Sequence, residues 1–147
     1  MEFWDSSALL PLVVHQRAFS LLCRRALVGS GPRAVAFLAR IECRSGLARL
    51  VRDGVLTDAE RDRASRALDA LLARFDVVAF SSTVEQHALD LLVRHGLRAL
   101  DAMQLGCALA LRAGRHTLRV SLACCDRRLA RAARGEQLDL LIVPPAR

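Results

Sequence analysis

Apolar residues along this chain alternate between a two-residue rhythm and a helical rhythm, the pattern of strands separated by helices. Glu2-Phe3-Trp4-Asp5 reads as a short opening strand. A helical stretch follows to about Leu27, with an irregular first turn because Pro11 disfavours α geometry at Leu10. Gly29-Ser30-Gly31-Pro32 reads as a loop and Ala34 to Leu38 as the second strand. A helix is expected from about Ala39 to Asp53, with Cys43, Leu47, Leu50 and Val51 as its core stripe and Gly54 as its stop. Thr57-Asp58-Ala59-Glu60 has the form of a capping box. It opens a helix that turns Ala64, Ala67, Leu68, Leu71 and Leu72 inward, and Val77 to Phe80 makes the third strand. Ser82-Thr83-Val84-Glu85 reads as a second capping box, and Val84, Ala88, Leu91 and Leu92 carry that helix to Gly96, a C-terminal cap. Asp101-Ala102-Met103-Gln104 starts a helix that runs to Gly114. Leu118 to Ala123 is the fourth strand, Asp126 opens a short helix ending near Gly135, and Leu138 to Val143 is the last strand.

Strands separated by helices imply an α/β fold, a parallel sheet covered on both faces. At 147 residues the chain is expected to be one domain, residues 1–147, able to bury a core without disulfides or a structural metal. Although 53% of the residues are hydrophobic, no apolar run approaches the ~20 residues of a membrane span. The run from Ala8 to Val14 contains Pro11 and has no basic leader, so no membrane association is expected and the cytoplasm is the expected compartment. The five cysteines show no CxxC spacing, which points to buried reduced thiols rather than zinc or disulfides. The net charge is +7, every basic residue being Arg, and such a surface attracts polyanions, of which nucleic acid is the commonest.

Charge alone identifies nothing; the acids say more. In open α/β sheets ligands bind beyond the carboxyl ends of the strands. Asp5 ends the first strand, Asp126 follows the fourth, Glu42 lies in the first turn after the second, and Asp101 starts a helix that points to the same rim. Taken singly, Asp101 and Asp126 are good helix caps, and Glu42 is an early-helix acid favoured by the helix dipole. A lone charge at the end of a buried strand, as at Asp5, is costly. Carboxylates gathered on one rim raise one another's pKa unless a cation is present. Mg²⁺ takes oxygen ligands, keeps several waters and engages substrate phosphate, and such ions can activate water against a phosphodiester.

These residues resemble a family. Phe3-Trp4-Asp5-Ser6-Ser7-Ala8-Leu9 looks like the opening motif of PIN domains, and Arg40-Ile41-Glu42 through Leu47 resembles their second acidic motif. Leu97-Arg98-Ala99-Leu100-Asp101-Ala102-Met103-Gln104-Leu105 is very similar to the third, and Leu122-Ala123-Cys124-Cys125-Asp126-Arg127-Arg128-Leu129 resembles the fourth, with Pro144-Pro145 fitting the usual ending. The resemblance covers essentially the whole chain, and its compact form resembles the VapC-type toxins of toxin–antitoxin pairs. It implies a three-layer α/β/α fold with about five parallel strands. It also implies an endoribonuclease dependent on Mg²⁺ or Mn²⁺, a small cognate antitoxin as partner, and a homodimer. Asp5 and Asp101 would be the central metal ligands, Glu42 and Asp126 would complete the catalytic pocket, and Ser7 would support them by hydrogen bonding. One departure is Cys124, where the family commonly has Thr or Ser, because a thiol is the poorer hydrogen-bonding group.

Other readings fit less well. A phosphorylation receiver also gathers acids at strand ends but needs a Lys, which this chain lacks. A metal-independent ribonuclease would use His as acid and base, yet nothing pairs His15, His87, His95 or His116 with a third group. A housekeeping PIN-type RNA-processing nuclease, or a catalytically weak RNA-binding PIN module, remains the alternative. The Arg52–Arg66 stretch and the amphipathic Arg127–Arg134 helix are candidate RNA surfaces as well as ordinary solvated faces. The helix after Asp5 and the Thr57–Leu72 helix are the expected groove for a partner helix.

Overall fold

The computed structural model describes residues 1–14, 20, 23–24, 26–28, 31–114 and 119–142. Five strands form one wholly parallel sheet: β1 (Glu2–Trp4), β2 (Arg33–Ala36), β3 (Asp76–Val78), β4 (Ser121–Ala123) and β5 (Asp139–Leu140). Their order is β3-β2-β1-β4-β5. The chain therefore builds outward from β1 in one direction and then restarts on its other side. That reversal leaves a crevice above the carboxyl ends of β1 and β4, the place where such sheets bind ligands.

Side chains on β1 alternate faces, as a strand requires, and each face has its own core. Phe3, Ala34, Ala36 and Leu122 pack with residues of α4 (Ser82–His95), α5 (Ala99–Ala113) and α6 (Arg127–Gly135). Trp4, Val35 and Ala123 pack instead with α1 (Ser6–Val13), α2 (Ala39–Arg52) and α3 (Asp58–Leu72). Trp4 meets Phe75 edge-on, with ring centroids 6.1 Å apart. This is the expected α/β/α layering. Burying each Leu of these cores is worth roughly 2 kcal/mol. On the first face α4 and α5 approach closely at Gly106, where an added Cβ would meet the Val84 carbonyl at 2.9 Å. Asp101 lies five residues earlier, in the first turn of α5.

Several element ends differ from expectation. The first helix stops at Val13; Val14 is extended, and its N–H bonds to the Leu10 carbonyl. Of the later residues read as the same helix, Ser20, Cys23, Arg24, Ala26 and Leu27 are helical, and the others lie outside the described residues. Pro11 sits inside α1 without breaking it, and the Asp5 side chain caps the helix by accepting from the Ser7 N–H. The second capping box is displaced: Ser81 is the cap and Ser82 the first helical residue, so Glu85 is one position too late to reach back. Thr57 and Glu60 do form the full reciprocal box, and Gly96 caps α4 at φ 58°, ψ 34°, a conformation glycine adopts without strain. β2 ends at Ala36 and β3 at Val78, shorter than the apolar runs that marked them. β4 and β5 are shorter too, and Leu118, Val143, Pro144 and Pro145 lie outside the described residues, as do Gly29, Ser30, His15 and His116.

Candidate active site

Asp5 follows β1 directly and is 5% exposed. Its backbone N–H continues the ladder to the Ala123 carbonyl at 2.9 Å. Its Oδ2 accepts from the Ser7 N–H at 2.9 Å and from the Ser7 hydroxyl. The Ser7 Oγ in turn accepts from the Cys125 N–H at 2.9 Å, tying the end of β1 to the end of β4. Burial is the main reason the Asp5 carboxyl is raised above its usual range; the two Ser7 bonds oppose it and the charge of Asp101 adds to it.

Glu42 stands in the first turn of α2, as expected. Gln104, from the opposite helical layer, donates its Nε2 to Glu42 Oε2. Desolvation, followed by the charge of Asp5, pushes the Glu42 carboxyl up to about 7, with the Gln104 bond holding it back and Asp101 contributing least. Asp101 is not a cap. Helix α5 begins at Ala99 after Arg98, without a side-chain cap, and Asp101 is the acid of its first turn. Its carboxyl is raised by desolvation and then by the charge of Asp126, while Arg98 and Arg128 pull it down. Asp126 caps α6, accepting from the Leu129 N–H at 2.8 Å, and is exposed at the rim. Thus Asp5 feels Asp101, Glu42 feels both, and Asp101 feels Asp126. The four acids, drawn from three helices and a strand end, share one electrostatic neighbourhood around the sheet reversal.

A cleft of about 390 Å³ opens beside Glu42, lined also by Ser6, Ser7, Leu10, Leu38 and Leu100 among others. Cys124 is buried, and its thiol donates to the Asp126 carbonyl at 3.7 Å, so the backbone takes the hydrogen bond that a hydroxyl would make. Burial, followed by the charges of Asp5 and Asp126, holds that thiol well above its ordinary range. His95 is engaged elsewhere, bonded at 2.7 Å to Glu136 behind the sheet edge. Sequence reasoning gave no role to Gln104 or Arg98, and it had Arg128 only as part of the Arg127–Arg134 candidate RNA surface. Gln104 left a readable signal, since it is the polar residue of an otherwise apolar run, three positions after Asp101.

Residues 3–135 match the family model of the PIN domain. The chain belongs to the PIN-domain family. Ribonucleases VapC45 and VapC49, both from Mycobacterium tuberculosis, are 35% identical to this PIN domain over 110 residues, covering 75% of its length and 76% of theirs. Its fold is similar to that of VapC20 from the same organism, a toxin described as cleaving the sarcin–ricin loop, with a TM-score of 0.67, 18% identity and coverage of 98% of this chain and 100% of that one. VapBC2 of Rickettsia felis, solved bound to a DNA fragment from its promoter, gives a TM-score of 0.64 at 14% identity, covering 95% of this chain and 96% of that one. The PIN domain described here is a nuclease by that membership, and none of its described helices is long and apolar enough to cross a membrane.

Proposed function

We propose that this PIN domain is a divalent-cation-dependent endoribonuclease, the toxin of a toxin–antitoxin pair, in which Asp5, Glu42, Asp101 and Asp126 serve the cation and Ser7 orients Asp5. The observation that carries this reading is the convergence of the four acids at the sheet reversal, where burial and mutual repulsion raise the Asp5, Glu42 and Asp101 carboxyls. A structural cap such as Thr57 carries no such cost. The residues fit a hard cation by chemistry: the donors are carboxylate oxygens, and a cation reverses the repulsion that lifts them. Among the described residues no three His, Cys, Asp or Glu side chains stand in metal-ligating range. Mg²⁺ is ordinarily held by one or two carboxylates, with water and substrate phosphate completing the shell. Asp5 and Asp101 are the central ligands, with Glu42 and Asp126 flanking them.

When bound, the cation activates water and stabilises charge on the phosphodiester. The protein's own residues orient that chemistry. Ser7 holds the Asp5 carboxylate in one rotamer, and Gln104 does the same for Glu42. Arg98 and Arg128 place positive charge beside Asp101, where an RNA backbone would pass. Arg127, Arg128, Arg131 and Arg134 lie on the exposed face of α6, whose inner face is Leu129, Ala130, Ala132 and Ala133.

An antitoxin helix fits the apolar channel between α1 and α3. A cavity of about 400 Å³ there is lined by Val13, Val14, Val55, Leu56, Ala64 and Ala67, with Glu60 and Arg63 at its border. The same reading includes a homodimer, a single catalytic unit across residues 1–147 and a cytoplasmic location. The test is cleavage of RNA by the purified protein with Mg²⁺ or Mn²⁺. Loss of cleavage in EDTA and its return with excess cation are expected; cleavage indifferent to EDTA would refute the assignment.

A further inference from the structure

The cysteines are not equivalent. Cys43, Cys107 and Cys124 are buried. Cys23 and Cys125, far apart in sequence, bring their sulfurs to 3.6 Å. Cys23 is fully buried at the edge of the Trp4 core, whereas Cys125 is half-buried and open to a small reagent. A disulfide requires about 2.05 Å between sulfurs, so closure needs a movement of roughly 1.5 Å. That lies within the reach of a side-chain adjustment on the short segment between β4 and α6.

Cys125 also occupies a lever point. Its N–H holds the Ser7 Oγ, and Ser7 holds Asp5 through both its N–H and its hydroxyl. The residue after it is Asp126. Drawing Cys125 toward Cys23 therefore pulls on the support of Asp5 and on the cap of α6 together.

We propose that Cys23 and Cys125 form a modification site, a reversible intrachain disulfide made by a peroxide, whose closure disturbs the Ser7–Asp5 support and slows the nuclease. The half-buried Cys125 thiol, the more accessible of the two, reacts first. Its sulfur takes one peroxide oxygen, giving a sulfenic acid and releasing water. The Cys23 sulfur then displaces the hydroxyl from that sulfur, the two thiol hydrogens leaving overall in two waters, and the sulfur–sulfur bond forms. Two thiols are oxidised and one peroxide is reduced. A thiol reductant reverses the bond by exchange. The effect on cleavage rests on the nuclease reading of the site; formation of the disulfide does not.

The test oxidises the full-length, reductant-free protein with hydrogen peroxide and follows three readouts. Intact mass and a non-reducing peptide map are expected to show loss of two hydrogens and a Cys23–Cys125 linked peptide within one chain. RNA cleavage falls by about tenfold or more, the usual cost of losing a group that supports a metal ligand, and returns with reductant. The rise in melting temperature caused by Mg²⁺, which reads the carboxylates without any RNA, shrinks on oxidation. Cys23→Ser keeps the reduced protein's activity, forms no link and collects oxygen adducts at Cys125. Free thiols, adducts on Cys125 in the wild type, or a link between two chains would overturn the proposal. A linked protein with an unchanged Mg²⁺ response would overturn its coupling to Asp5. Failure of the reduced protein to cleave RNA would count against the nuclease reading alone, since the mass and Mg²⁺ readouts still decide the disulfide.

Discussion

Helices α3 and α5 are each 15 residues long and were built by opposite means. α3 is locally self-sufficient. Thr57 and Glu60 close a reciprocal capping box, Asp58 and Glu60 favour its dipole, and Arg61 pairs with Asp58 and Asp62 on its outer face. α5 begins at Ala99, after Arg98, with no side-chain cap and is held by packing, from Ala102 through Leu109 almost without a break in burial. It nonetheless places a carboxyl in its first turn, raised by desolvation, and a buried amide whose Oε1 has no hydrogen-bond partner. Unpartnered buried polar atoms cost about 1–3 kcal/mol each. Asp69 of α3 also has an oxygen without a hydrogen bond, but Arg40 stands 3.6 Å from it at the surface, whereas the Gln104 Oε1 is buried with no partner. A helix that bears such costs in the core is where chemistry is to be sought.

The contrast is most sharply tested at Asp101. Asp101→Asn retains size and folding but removes the charge a hard cation needs, so Mg²⁺-dependent cleavage is expected to fall by about a hundredfold or more. Since Asp101 is not a cap, and since its carboxyl repels Asp126, the melting temperature in EDTA is not expected to drop. A folded variant with undiminished Mg²⁺-dependent cleavage in a single-turnover assay would remove the carboxylate site from consideration.

A smaller effect is expected at Glu42 and Gln104. The folded protein keeps a proton on Glu42 up to about 7, whereas the unfolded chain releases it near 4.5. Between those values folding takes up a proton, so the cation-free protein loses stability as pH rises through this window and regains it on acidification. Melting curves in EDTA from pH 5 to 8 should show that slope, and Glu42→Gln should flatten it. An equal slope in both proteins would mean that Glu42 is not the group responsible. Gln104→Leu removes the donor that holds Glu42 down, so its window moves to higher pH. With Glu42 serving the cation as proposed, cleavage falls about tenfold, the usual cost of losing a group that orients a metal ligand.

The smallest effect is on α3. Thr57→Ala should cost about 1 kcal/mol, or roughly 3 °C in melting temperature, and leave cleavage unchanged. Any loss of cleavage beyond that explained by unfolding would erase the distinction between the two helices.

Much of this was legible from the residues. The alternation of strand and helix, the capping box at Thr57, the glycine stop at Gly96 and the positions of Asp5, Glu42 and Asp126 at element junctions all follow from local rules, and the structure has them there. The misjudged features were those in which two local signals compete. Ser81 and Ser82 are both able to cap, and only the path out of β3 selects Ser81. Asp101 looks like a cap by residue type, yet the packing of α4 on α5 lets the helix begin two residues earlier. Pro11 was expected to disturb its helix, yet α1 runs on past it to Val13.

The amino-acid sequence by itself determined the order of elements, the apolar faces and the residue types available for chemistry, because periodicity, caps and breakers act over a few neighbouring positions. Only the tertiary structure decided that β4 returns beside β1, that Gln104 reaches Glu42 across the rim and that Cys125 touches both Ser7 and Cys23. Those contacts join residues far apart in the chain. They depend on strand order and interlayer packing, which no short stretch of sequence encodes.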